Sequence, residues 1–307
     1  MPPITLILAC SLLLLLGFVR RSLSGTTLAA VWCWAVATVL VITGAELALT
    51  VSGDAIGTRG ETPSSSSPLG FAAAMVVFCP GVALLGAKRP QDKPWQLIVL
   101  SLWGILMLPS FEWLLRGGGD LSEIHPARGW FLLILTLLGA VNHLPTRYWL
   151  SAILVALGQV ALVHRWLPLP SFDLIDLRSV AVPIALGLWL AALLWGIVQA
   201  RRAAGAAGID RVWSDFRDAF GAVWALRVVE RMNAAAVSSD WPVRLTWDGF
   251  RTAEGEPIDH WPPEIERSAN QVLANLLRRF VSSDWIHRRM TARDPATALA
   301  RVAVPDA

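Results

Sequence analysis

The chain has 307 residues, of which 55% are hydrophobic and only 16% charged. A soluble globular chain carries about 25% charged residues, so this balance excludes an ordinary soluble domain and points to a polytopic membrane protein. The net charge of +3 does not argue for nucleic acid, because the basic residues form short clusters at the ends of apolar runs, where orientation signals account for them.

The first apolar run covers about residues 4–19 and is followed by Arg20 and Arg21. A cleavable secretory signal has its positive charges before the apolar stretch, and here the order is reversed, so the run reads as a retained anchor with its N-terminus outside. The second run, residues 27–51, leads into SGDAIGTRGETPSSSSPLG, a Gly, Ser and Pro stretch expected to be a flexible external loop. The third, residues 71–86, contains Cys79-Pro80, where the missing backbone donor should kink the helix. Residues 95–115 form the fourth run, with Pro109 near its far end. Runs five and six, residues 129–141 and 147–163, are joined by NHLPT as a tight helical hairpin, and the seventh covers Ser179 to Arg202.

Loop charges give a second line of argument. Arg20 and Arg21, then Lys88, Arg89 and Lys93, then Arg147, then Arg201 and Arg202 fall in alternate connections, and the intervening ones offset their Arg with Asp and Glu. Seven spans with the N-terminus outside and the C-terminus in the cytoplasm fit this alternation, as in a bacterial inner membrane. Many of the 16 Trp, including Trp32, Trp95, Trp130 and Trp149, sit near run ends, as an interfacial belt requires.

The fold class expected is therefore all-α and polytopic, about seven transmembrane helices over residues 1–202, then a hinge over 203–209, a small mainly helical cytoplasmic domain over 210–293, and a disordered tail over 294–307. In that domain a helix over residues 210–236 carries Val212, Trp213, Phe216, Phe220, Val223 and Trp224 on one stripe. Arg227 and Arg231 continue the same stripe on an unbroken wheel, which predicts two different packing partners along the helix and makes the two arginines a candidate basic docking site for an anionic group, in a domain expected to dock a protein partner. Val243, Leu245 and Trp247 alternate with polar residues before Asp248-Gly249, the signature of a short β-hairpin with those two residues at its turn. A second amphipathic helix runs from Pro262 or Pro263 to about Ser282, with Ile265, Ala269, Val272, Leu273, Leu276, Leu277 and Phe280 on its apolar face.

Ionisable groups inside spans are the strongest functional pointers, because insertion scales place their cost at about 2.5–3.5 kcal/mol. Glu46 and Glu112 are the clear cases, both expected about one turn from the outer membrane face, with Thr43 and Thr50 extending a polar stripe beside Glu46. Paired carboxylates at one depth could bind a cation, relay protons, or act on a lipid-linked substrate. Against this, Glu112 can pair with Arg116 four residues on. Gln159 and Asn142 read as hydrogen-bond partners between helices. The three cysteines and five histidines lack metal spacing, and no phosphate loop, dinucleotide fingerprint, HExxH or GxSxG is present, so no cofactor, metal or catalytic site is expected. The lipid bilayer is the expected partner of the apolar region. The leading expectation is a non-enzymatic scaffold or sensor, with a carrier or a membrane enzyme as alternatives.

Overall fold

A computed structural model describes residues 3–56, 67–115, 125–168, 180–203, 208–256, 258 and 262–291. The chain divides into two compact units, Met1–Gln199 and Ala200–Ala307. The tail over residues 294–307 and most of the hinge lie outside the described residues.

The first unit is helical throughout: α1 (Pro3–Val19), α2 (Ala29–Ile56), α3 (Pro68–Met75), α4 (Cys79–Leu85), α5 (Trp95–Leu106), α6 (Leu108–Leu115), α7 (Pro126–Val141), α8 (Trp149–Val163) and α9 (Ala181–Arg202). Among the described residues, five helices are long and apolar enough to cross a membrane, and α5 with α6 make a sixth if their 43° bend lies within one span. Five or six of the about seven spans expected are thus matched by such helices. At 16 residues α7 extends about 24 Å, short of a hydrocarbon core of roughly 30 Å.

The Pro68–Leu85 span is 56% buried, against 17–28% for the other four, so it forms the centre of the unit. Phe71, Met75, Val76, Val77, Phe78 and Cys79 are all at most 3% exposed. The kink expected at Pro80 takes the form of a 3-10 segment, Val76–Phe78, separating α3 from α4, with Pro80 in the first turn of α4. Proline cannot donate to the carbonyl four residues back, so the helix tightens there instead of continuing, and Pro80 falls where no donor is needed. Helices α2 and α5 pack on α4, while α6 and α8 pack on α3.

The second unit consists of α10 (Ile209–Ser238), strands β1 (Val243–Thr246) and β2 (Gly249–Thr252) paired antiparallel, α11 (Pro263–Leu277) and α12 (Ser283–Met290). Its core is aromatic. Phe280 lies 5.0–5.4 Å, centroid to centroid, from Phe216, Phe220 and Trp224, a range in which edge-to-face pairs contribute beyond their buried area.

Helix α10 is broken at Gly221, whose φ of 76° and ψ of −177° are open to glycine alone. The break resets the helical phase. Before it Val212, Trp213, Phe216 and Phe220 are buried; after it Trp224, Ala225, Val228, Met232 and Ala236 are, an i, i+4 stripe of its own. Residues on both sides of the break are buried within this unit, and Arg227 and Arg231 leave the apolar seam and are exposed.

The hairpin forms, but its turn residues are Trp247 and Asp248, with Thr246 opposite Gly249, one residue earlier than Asp248-Gly249. Helix α10 decides the register. The Asp210 carboxylate accepts from the Phe250 amide at 2.9 Å, and a Cβ on Gly249 would lie 2.7 Å from the same oxygen. The Trp247 carbonyl accepts from Trp213 Nε1 and Arg217 Nη1 at 3.1 and 2.6 Å. Asn233 closes the free edge of β1, donating to the Leu245 carbonyl and accepting from its amide at 2.9 and 2.7 Å.

The second amphipathic helix stops at Leu277, five residues earlier than expected. A turn then carries Phe280 into the aromatic cluster, and Ser282 starts α12 by accepting from the Trp285 amide at 3.3 Å. Arg289 ties α12 to α10 through Asp215 at 2.7 Å and lies 3.7 Å over the Trp285 ring. Burial lowers the pKa of this guanidinium, and the Asp215 charge opposes that shift.

Candidate functional site

Glu46 lines a cavity of about 40 Å³, room for about three or four water molecules at about 10–15 Å³ of such space each. Its neighbours there are Ile42, Ala45 and Leu49 of α2, Gly70, Ala73 and Ala74 of α3, Leu162 of α8, Trp166 of the 3-10 turn that follows it, and Ala181 and Val182 of α9. The space exists because small residues of α3 and α9 face α2 and leave no side chain to fill it. Ile42, Ala45, Glu46 and Leu49 follow helical spacing, which puts the carboxylate on the same side of α2 as three apolar contacts. Trp166 closes the opposite wall, held edge-on against Phe71 with ring centroids 4.7 Å apart.

Glu112 has different surroundings. It is absent from the lining of this cavity, and its carboxylate stands 3.5 Å from Arg128 of α7, with both side chains about half exposed. The pair expected with Arg116 involves a residue outside the described ones.

The hydroxyls of Thr43 and Thr50 are used locally. Each hydroxyl donates back to its own helix, to the Val39 and Leu47 carbonyls at 2.7 and 2.8 Å, which is the local bonding mid-helix threonine prefers. A composition-based stripe does not show this, because helical spacing places residues without saying which acceptor they choose.

Polar contacts cluster instead around the broken central span. Gln159 donates to the Val77 carbonyl at 2.9 Å, Thr38 approaches the Val76 carbonyl at 3.3 Å, and Trp103 Nε1 donates to the Ala72 carbonyl at 3.1 Å. The expectation that Gln159 bonds between helices is met; Thr38 carried no signal beyond being a threonine in an apolar run. Two histidines of the first unit bond to backbone close by. His125 accepts from the Ala127 amide at 3.2 Å at the start of α7, and buried His164 bonds the Ala161 carbonyl at 2.9 Å. Among the described residues no three His, Cys, Asp or Glu side chains gather as a metal site.

In the second unit Arg227 stacks over the Trp224 ring at 5.1 Å. Beside it the exposed face of α10 carries Leu226, 58% exposed, Arg231 and, further along, Val237, 74% exposed.

No family model, curated protein or solved structure matches the chain. What the fold defines is a class: a mainly helical chain whose long apolar helices are consistent with contact with a lipid bilayer and with an integral membrane protein, followed by a compact second unit.

Proposed function

We propose that this chain is a non-enzymatic scaffold or sensor of the membrane, with its N-terminus outside and its second unit docking a protein partner in the cytoplasm. The observation that carries the reading is the exposed face of α10 beyond Gly221, where Leu226, Arg227, Arg231 and Val237 stand outside a core that is complete without them. Arg is among the residue types enriched in binding hot spots, and this face carries two. The orientation rests on the alternation of basic loops. Photo-crosslinking from positions 226 and 231 in native membranes tests the reading: one discrete adduct, lost in Leu226→Asp, is expected, and absence of any adduct to protein refutes docking. Reporter fusions after Arg202, expected to be cytoplasmic, and beside Thr58, expected to be external, test the orientation.

The Glu46 cavity favours a second reading, a carrier of protons or a small cation, because it sets a single carboxylate in a water-sized space among apolar helices. It would use Glu46 without Glu112. Flux in reconstituted vesicles that survives Glu46→Gln unchanged removes that role.

A further inference from the structure

Two arginines face each other across the hairpin. Arg244 and Arg251 are register partners, so they share a face, with Cβ atoms about 4.5–5.5 Å apart, and like charges so placed are destabilising. The shared face is the outer one. The alternate pair, Leu245 and Phe250, points into the core at 1% and 4% exposure, while Arg244 is exposed and Arg251 partly so.

The other arginines at this end of the unit have carboxylates: Arg217 pairs with Asp218 and Asp248, and Arg289 with Asp215. Among the described residues, neither Arg244 nor Arg251 has one. Nor can the strands slip to separate them, because α10 holds Leu245 through Asn233 and Phe250 through Asp210. Two arginines fixed opposite each other in register can bring two guanidinium forks, each with the donor geometry that matches a phosphate oxyanion, to one ligand.

We propose that the outer face of this hairpin binds a phosphate group, presented by anionic phospholipid headgroups of the membrane that carries the protein. The lipid source is favoured by charge: anionic headgroups carry a negative surface potential that draws arginine, and an apolar helix ending in Arg201 and Arg202 precedes α10 in the chain. This inference rests on the membrane reading above and is independent of the protein partner.

Hydrogen exchange of the 243–252 amides in the full-length chain tests it, in nanodiscs of phosphatidylcholine alone, of phosphatidylcholine with phosphatidylglycerol, and of phosphatidylcholine with inorganic phosphate in solution. With headgroup at about ten times Kd, exchange should slow about tenfold in the phosphatidylglycerol discs relative to phosphatidylcholine. That protection should vanish in Arg244→Gln with Arg251→Gln and persist in Arg227→Gln with Arg231→Gln. Unchanged exchange across α10 certifies the fold of each variant, and the single replacements serve if the double one loosens it. Equal exchange in the two lipid compositions overturns the proposal, and equal protection by inorganic phosphate overturns the lipid source. A chain that enters neither disc overturns the membrane reading and this inference with it.

Discussion

Gln159 of α8 donates to the backbone carbonyl of Val77, three residues before Pro80, at 2.9 Å. The bond joins a polar side chain in one apolar helix to the point where the central span departs from α-helical bonding. Helix-to-helix hydrogen bonds in bilayers average about 0.6 kcal/mol and reach about 1.7. Gln159→Leu should therefore lower stability against SDS unfolding by about 1 kcal/mol. A variant as stable as the parent would show that water or a neighbour replaces the bond.

The Asn233 amide makes two bonds to Leu245, both partly buried. Asn233→Ala removes both and leaves the β1 edge unpaired, for an expected loss of about 2 kcal/mol at 0.5–1.5 kcal/mol per bond. Asn233→Asp keeps the acceptor and should lose less. Thermal unfolding of the full chain in detergent, read by exchange of the hairpin amides, gives the ranking; an Ala variant matching the parent would contradict it.

Gly221 should tolerate no side chain. Its backbone lies in a region costing other residues about 1–3 kcal/mol, so Gly221→Ala is expected to destabilise the second unit by at least that much. Gly44 of α2 provides the contrast. Nothing lies within 4 Å of a Cβ placed there, and Gly44→Ala should stabilise the helix by about 0.5–1 kcal/mol. Equal effects at the two sites would refute the break in α10.

Glu112 and Arg128 form an ion pair with both side chains about half exposed. Pairs this open contribute about 0–1 kcal/mol, so Glu112→Gln should change unfolding stability by less than that. A loss of several kcal/mol would mean that the pair is desolvated in the membrane.

Composition and periodicity determine much of this protein. Apolar runs of about twenty residues set the positions of the long helices, because transfer from water is close to additive along a run and depends little on what packs beside it. The apolar faces of α10 up to Phe220 and of α11 were legible for the same reason, as was the hairpin. What escaped were choices made by distant residues. Gly221 is one of 23 glycines, and nothing local marks it as the one that breaks a helix and turns Arg227 and Arg231 out of the core. The hairpin turn sits at Trp247-Asp248 because Asp210, Trp213 and Arg217 hold the strands in that register, against the local preference of Asp-Gly. Glu46 and Glu112 looked alike as carboxylates in apolar runs. Tertiary packing separates them, placing one beside a cavity left by Gly70, Ala73 and Ala74 and the other within reach of Arg128. Burial of an apolar stretch is a property of the stretch, whereas register, helix phase and the surroundings of a charge are set by contacts across the fold.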